Sequence, residues 1–127
     1  MSDESANRIS EAELEVMKVL WAEGQALPVT ALREKLHTSR GWEPTTVKTL
    51  VTRLCQKGAL KQEKKKVFYY APLISREEYD AWATRDLIRR LYNGSAKALV
   101  SALVSSDGLT KDDIDELRRM FDKGEPR

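Results

Sequence analysis

The segment from Trp42 to Gly58 constrains the fold most strongly, because it predicts one short helix with two chemically different faces. At 3.6 residues per turn, apolar side chains recur at the spacing of a buried stripe. The stripe consists of Val47, Leu50, Val51 and Leu54. The opposite face, here called the polar face, carries short hydroxyls and long cations that can donate to phosphates and base edges. Its residues are Thr45, Lys48, Thr49, Thr52, Arg53 and Gln56.

Positive charge is concentrated around this helix. Residues 40–66 contain eight lysines and arginines against two glutamates, a local net charge of +6, whereas the whole chain carries +2. A localised patch of this kind suits a polyanionic partner. The plainer alternative is a solvated amphipathic helix followed by a lysine-rich turn.

The composition is that of a globular protein without membrane insertion. Of 127 residues, 41% are hydrophobic and 33% charged, and no apolar run approaches the ~20 residues that a membrane span requires. The first eleven residues, MSDESANRISE, have neither the basic nor the apolar region of a secretory signal. We therefore expect a cytoplasmic protein.

The sequence offers no groups for catalysis or metal binding. Cys55 is the only cysteine and His37 the only histidine, which excludes intrachain disulfides and an ordinary structural zinc site. No Gly-rich phosphate loop, nucleophile elbow or paired-carboxylate site is evident. We predict no catalytic residues, no cofactor and no metal, and we interpret Cys55 as a small residue at the edge of the core.

Three helices precede a hairpin in the predicted order of elements. A capping box of Ser10 and Glu13 opens a first helix over about residues 10–23. A second helix starts at Leu27-Pro28 and ends near His37, and a third covers about 44–57. Strand spacing then predicts strands at 59–62 and 67–71 around a charged turn at 63–66.

This order is that of a winged helix-turn-helix, so the predicted fold is mainly α with a β-hairpin wing. In such folds the third helix enters the major groove and the wing touches the DNA backbone. The predicted tip of the wing carries Lys64, Lys65 and Lys66. Phe68, Tyr69 and Tyr70 could stack on single-stranded bases, but a hairpin this short needs some of these rings to pack against the helices, and we favour packing.

Three further helices are predicted after the wing, the first opened by a capping box of Ser75 and Glu78. About fifty residues of helix bury little surface alone, which favours pairing with a second copy over completion of a monomeric core. A dimer would contact two operator half-sites roughly 34–36 Å apart. We therefore divide the chain into a winged-helix DNA-binding domain (1–73) and a three-helix dimerisation domain (74–127). The predicted dimer contacts are Tyr79, Trp82, Leu87, Leu91, Leu99, Leu103, Ile114, Leu117 and Phe121.

Several motifs resemble those of the penicillinase and methicillin-resistance repressor family (the BlaI/MecI type), which also includes copper-responsive repressors. The resemblance covers nearly the whole chain and is most specific in the third helix and in the acidic, leucine-containing C-terminal motif. The residues that carry it are Ile9–Glu13, Val16-Met17, Trp21, Trp42, Pro44–Leu50, Thr52–Leu54, Lys57-Gly58, Tyr69-Tyr70, Tyr92, Leu99-Val100 and Leu109–Leu117.

The resemblance implies a homodimeric transcriptional repressor that binds a palindromic operator in double-stranded DNA. It implies contacts with the major groove from Thr45, Thr46, Lys48, Thr49 and Arg53. Several relatives carry lysine in place of Thr45 and arginine in place of Lys48. Because arginine can fork onto guanine while lysine acts more as a point charge, the operator sequence should not be transferred from relatives.

The resemblance leaves the inducing signal open. In antibiotic-responsive members a membrane sensor-protease system triggers cleavage at an Asn-Phe bond, and alignment places Ala102-Leu103 at that position. Copper-responsive members bind metal through C-terminal Cys-x-Cys motifs, whereas no cysteine follows Cys55 here. An alternative function is a winged-helix interaction module that uses the basic face to bind an acidic protein partner.

Overall fold

The computed structural model describes residues 9–124, which form six helices and a three-stranded antiparallel sheet. The predicted winged-helix fold, mainly α with a hairpin wing, is confirmed. The elements in chain order are α1 (Glu11–Glu23), β1 (Leu27–Pro28), α2 (Val29–Arg40), α3 (Pro44–Gln56), β2 (Leu60–Lys64), β3 (Phe68–Pro72), α4 (Arg76–Leu91), α5 (Ala96–Ser105) and α6 (Lys111–Lys123).

Local capping signals set the ends of α1 as predicted. The Ser10 hydroxyl accepts from the backbone N–H of Glu13 at 3.1 Å, and the Glu13 carboxylate accepts from the backbone N–H of Ser10 at 2.9 Å. These two bonds satisfy donors that the helix leaves unpaired at its start. Gly24 ends the helix in the left-handed conformation, with φ of 73°.

Helix α2 is longer than the sequence predicted. It continues to Arg40, so the predicted end near His37 was wrong. Gly41 provides the stop instead: it adopts φ of 70°, and its N–H donates to the His37 carbonyl at 2.8 Å. Glycine adopts the left-handed conformation at this position with the least steric strain, because it has no Cβ.

The sheet contains a strand that the sequence did not reveal. Leu27 and Pro28, predicted to start the second helix, instead form β1, which pairs antiparallel with Tyr70 and Tyr69 of β3. Strand order is β1-β3-β2, so β3 is central. The wing is therefore attached, through the middle of β3, to the segment that leads into α2.

The hairpin turn begins two residues later than predicted. Strand β2 extends through Lys64, which pairs with Phe68, and the turn covers residues 65–67. The Lys65 N–H donates to the Val67 carbonyl at 2.9 Å. Charged residues at 63 and 64 remain in the ladder because an exposed outer strand tolerates them.

The core of the winged helix lies between the first three helices and the sheet. The predicted apolar stripe of α3 is confirmed, because Val47, Leu50, Val51 and Leu54 are all buried. It packs with apolar side chains of α1, α2 and the hairpin, namely Val16, Met17, Leu20, Leu32, Leu36, Leu60 and Tyr70. At roughly 1.5–3 kcal/mol for each fully buried large apolar side chain, the stripe fixes which face of α3 is left to solvent.

The chain divides into two compact units, the first ending at Thr84 and the second beginning at Arg85, within α4. Ile74 belongs to the core of the first unit, and its carbonyl accepts from the Trp21 indole N–H at 2.9 Å. The Tyr79 ring lies 5.8 Å from the Trp21 ring, centroid to centroid. The predicted functional boundary between residues 73 and 74 stays a prediction, while the packing of the first unit extends past it.

In the second unit, local caps start both complete helices. Ser95 accepts from the Ala98 N–H at 3.0 Å, and Thr110 forms a capping box with Asp113. Asp86, near the C-terminal end of α4, is held by Arg89 and Arg90. Within residues 9–124, no helix is both long and apolar enough to cross a membrane.

Candidate nucleic-acid interface

The polar face of α3 is fully exposed opposite the buried stripe. The exposed side chains are those that the sequence selected: Thr45, Thr46, Lys48, Thr49, Thr52 and Arg53. Among the described residues, neither Lys48 nor Arg53 takes part in an ion pair. Their charges are therefore not neutralised by the protein itself and can interact with an anionic partner.

The threonines of this face differ in what they can offer. The Thr49 hydroxyl donates to the Thr45 carbonyl at 3.0 Å, one turn earlier in the helix. Because its proton is used in that bond, Thr49 can present only an acceptor to a ligand. Thr52 makes no such backbone bond among the described residues, so its hydroxyl can either donate or accept.

A buried ion pair fixes the end of α3 against the start of α1. The Lys57 ammonium lies 2.5 Å from the Glu13 carboxylate, whose side chain is only 2% exposed, against 20% for Lys57. Burial raises the pKa of the Glu13 carboxyl, but hydrogen bonds from Lys57 and Ser10 outweigh burial and hold it below its ordinary value. The carboxylate is thus charged at neutral pH and anchors the C-terminal end of α3.

The wing presents its lysines beside aromatic rings. Lys64 lies 5.7 Å from the centroid of Phe68, and Lys65 lies 4.9 Å from that of Tyr69. All three lysines at 64–66 are exposed. Contacts of this kind are worth about 0.5–1 kcal/mol at exposed sites and hold the cations in place. Lys65 also lies 3.7 Å from the Glu63 carboxylate, in an exposed pair that solvent screens.

The three rings of β3 do not share one environment. Tyr70 is buried in the core, and its hydroxyl accepts from the Gln62 side-chain amide at 2.8 Å. Phe68 remains 39% exposed under Lys64. The prediction that some of these rings pack against the helices is confirmed for Tyr70.

A pocket of about 300 Å³ opens between α2, α3 and the hairpin. Its polar lining comes from Arg33, Lys48, Thr52, Gln62 and Tyr70. Arg33 was missed by the sequence reasoning. The available signal was weak: a cation one residue after Leu32 and three before Leu36 lies at the flank of the apolar stripe of α2, where it is only partly exposed.

The remaining reactive side chains carry no sign of activation. Cys55 is half-buried, and burial raises the pKa of its thiol, which disfavours the nucleophilic thiolate. His37 is exposed, with Nδ1 3.3 Å from the Trp42 carbonyl. Residues 9–124 contain no cluster of three histidine, cysteine or carboxylate side chains that could hold a metal ion.

Comparison with known proteins identifies the family. Residues 9–123 match the family described as penicillinase repressor. The chain belongs to the penicillinase repressor family. This result confirms the resemblance inferred from the motifs of the first and third helices.

Two relatives match over nearly their full length. The penicillinase repressor of Bacillus licheniformis is 35% identical over 121 residues, which cover 94% of this chain and 94% of that protein. The methicillin resistance regulatory protein MecI of Mammaliicoccus sciuri is 33% identical over 122 residues, covering 95% of this chain and 98% of that protein.

A solved structure matches the winged-helix part. The monomeric form of BlaI from Bacillus licheniformis, in complex with the blaP half-operator, superposes with a TM-score of 0.51 at 40% identity. The match covers 57% of this chain and 88% of that chain. The identity over the aligned part thus exceeds that of the whole-length relatives.

The predicted dimer contacts of this chain occupy different environments. Tyr79 and Trp82 lie in the first unit, where their rings are 6.1 Å apart. In the second unit, Leu91 and Phe121 are 63% and 65% exposed. Leu103 is also exposed, and the half-buried side chains are Leu87, Leu99, Ile114 and Leu117. The Ala102-Leu103 pair lies inside α5.

Proposed function

We propose that this protein is a homodimeric transcriptional repressor that binds a palindromic operator in double-stranded DNA through α3 and the basic wing. The observation that carries the proposal is the polar face of α3, exposed and with unpaired cations, on a helix whose other side is buried in the core. The Bacillus licheniformis relative is named a penicillinase repressor, the Mammaliicoccus sciuri relative is named a regulatory protein, and the related BlaI structure contains a half-operator. A cytoplasmic location accompanies this target.

The two charged elements have separate roles in the proposal. Lys48, Arg53 and the polar-face threonines lie on a helix that fits the major groove, where base edges can be distinguished. Lys64, Lys65 and Lys66 lie at the wing tip and meet phosphates, which contribute affinity without sequence preference.

The second unit is the proposed dimer interface. Leu91, Met120 and Phe121 are each at least 60% exposed in the single chain. Leu103 and Val104 are 42% and 57% exposed. Large apolar side chains gathered in one small unit favour burial against a second copy. The twofold partner also supplies the second half-site contact, which raises operator affinity by avidity.

The possible cleavage position that the alignment gives is Ala102-Leu103. The pair lacks the asparagine and phenylalanine of the family's scissile bond, and it lies within α5, where the backbone is hydrogen-bonded. A membrane sensor protease that acted on this repressor would have to cut a bond of different sequence.

Fluorescence anisotropy tests DNA binding. The full chain is titrated against a labelled duplex from its own upstream region and against a scrambled duplex, at several salt concentrations. We expect saturation at two protomers per site and a preference of about 10³ or more over the scrambled duplex. Equal affinities for both duplexes, or binding only at very low salt, would instead favour the acidic protein partner.

Sedimentation equilibrium tests the dimer separately. The full chain is expected to sediment as a dimer. A chain ended after Thr84 should sediment as a monomer because it lacks the second unit, and it should still fold because it keeps Ile74 and Tyr79 of the first unit. A dimeric truncated form would contradict the proposed interface. In anisotropy titrations, the monomeric truncated chain should bind the operator much more weakly than the full chain, because it contacts one half-site and not two.

A further inference from the structure

The pocket between α2, α3 and the hairpin has the chemistry of an anion site. Its lining contains two cations, Arg33 and Lys48, and no carboxylate. The volume of about 300 Å³ is at the lower end of the range for small-ligand sites and exceeds the needs of one phosphate group.

Two of the residues that line this pocket, Arg33 and Tyr70, have donors that the described part of the chain does not satisfy. The Nε of Arg33 is buried and has no hydrogen-bond partner among residues 9–124. The Tyr70 hydroxyl accepts from Gln62 at 2.8 Å, which leaves its own proton free to donate. A buried guanidinium N–H without an acceptor is costly. Arg33 also makes no ion pair among residues 9–124, so an anion held in the pocket that it lines would compensate its charge.

The position of the pocket indicates where an anion would come from. Lys48 and Thr52 belong to the polar face of α3, while Gln62 and Phe68 belong to the wing. A helix in the major groove and a wing on the adjacent backbone lie on either side of one sugar-phosphate strand. In a complex of that kind the strand would run between the two elements, over the pocket.

We propose that this pocket binds a backbone phosphate of the operator, with Arg33 as its principal ligand. Thr52, Gln62 and Tyr70 supply further donors, and Lys48 supplies a second positive charge. The assignment rests on the proposed function as a DNA-binding repressor. It adds a contact from α2, a helix whose residues were not selected as DNA ligands.

Phosphate neutralisation provides the direct test. The duplex bound by the full chain is prepared as a series in which one linkage at a time is an uncharged methylphosphonate. The wild-type protein is expected to lose about tenfold in affinity or more at one linkage in each half-site, as for a lost charge-assisted hydrogen bond. Arg33→Ala should bind the unmodified duplex more weakly and lose nothing further at that same linkage.

The matched control is Lys35→Ala, which removes the same charge from the same helix. Lys35 pairs with Glu23 at 3.5 Å and does not line the pocket. If each protomer loses one phosphate contact, Arg33→Ala should reduce the salt slope of a dimer by about 2, whereas Lys35→Ala should leave it near the wild-type value. Arg33→Lys, which keeps the charge, should retain the slope, and circular dichroism verifies folding of all variants.

Several outcomes would overturn the assignment. If Arg33→Ala and Lys35→Ala gave identical slopes and identical losses along the methylphosphonate series, the pocket would take no operator phosphate. A second outcome is that inorganic phosphate, at matched ionic strength, displaces the operator from wild type but not from Arg33→Ala, and that no single linkage shows a specific loss. The pocket would then be assigned to a free anion. Failure of wild type to prefer the unmodified operator over a scrambled duplex would instead remove the proposed function, and this contact with it.

Discussion

Replacement of Glu13 by glutamine tests how the recognition helix is held. The substitution preserves size and an oxygen that can accept from the Ser10 N–H, but it removes the charge that faces Lys57. Loss of one partner from a fully buried pair costs about 3–5 kcal/mol, because the other charge is left uncompensated. Here the Lys57 side chain is 20% exposed and can regain some hydration, so we expect a loss of about 2–3 kcal/mol.

The expected change is large enough to measure by thermal unfolding. For a domain of this size, it corresponds to a decrease in Tm of about 8–12 °C at pH 7. Circular dichroism melts should be recorded at one fixed protein concentration, because self-association makes Tm depend on concentration. Glu15→Gln is the control: its pairs with Lys18 and Arg40 are solvent-accessible, and its effect should be much smaller.

Acid should reduce the difference between Glu13→Gln and wild type. The folded-state pKa of Glu13 is below its ordinary value, so its stabilising contribution is present above the unfolded pKa and is lost as pH falls through the folded pKa. Adding Lys57→Met to Glu13→Gln should recover part of the loss, because the ammonium that the Glu13 carboxylate neutralised is removed as well. A Tm within about 2 °C of wild type at pH 7, or a gap that persists unchanged in acid, would refute this account.

Three further predictions concern the interface, the turn after α2 and the thiol. Lys48→Ala should weaken the free energy of operator binding by roughly 1–3 kcal/mol and relax base preference. Neutralising residues 64–66 should weaken binding to all duplexes alike and reduce the salt slope, and anisotropy titrations across salt separate the two effects. Gly41→Ala should destabilise the protein by about 1–2 kcal/mol in urea unfolding, since φ is 70° although nothing lies within 4 Å of the added Cβ; Gly108→Ala, without positive φ, is the control. Cys55 should react with iodoacetamide more slowly than free cysteine at neutral pH and approach it only in more alkaline solution, because its thiol pKa is raised.

Equal losses on operator and scrambled duplexes for Lys48→Ala would show that this lysine contacts only the backbone. Gly41→Ala with unchanged stability would mean that the helix end can rearrange without strain. Reaction of Cys55 at the rate of free cysteine would show that the thiol is not shielded.

Most helices could be predicted because their signals are local. The capping boxes at Ser10, Ser75 and Thr110 each involve a residue only three positions later, so the sequence alone contains the whole interaction. The stripe of α3 was equally visible, since its period follows from helix geometry. The end of α2 was missed because both His37 and Arg40 are compatible with a last turn, and the left-handed Gly41 decides between them.

The features that escaped prediction depend on contacts between distant segments. Strand β1 has two residues and exists only because Tyr69 and Tyr70 pair with it more than forty positions later. The pocket near Arg33 requires α2, α3 and the hairpin to meet, which no periodicity reveals. The Glu13–Lys57 pair likewise joins positions 44 apart. The DNA and dimer contacts remain predictions, since each involves a second molecule.

The order of strands in the small sheet also bears on how the protein avoids aggregation. Its two outer strands are β1 and β2, whose free edges could template the addition of a foreign strand. Strand β1 offers only two residues, one of them Pro28, which has no N–H to donate. Strand β2 carries exposed Lys61, Glu63 and Lys64, whose charges would have to be desolvated by an incoming chain. Neither free edge of the sheet therefore favours the addition of a strand from another chain.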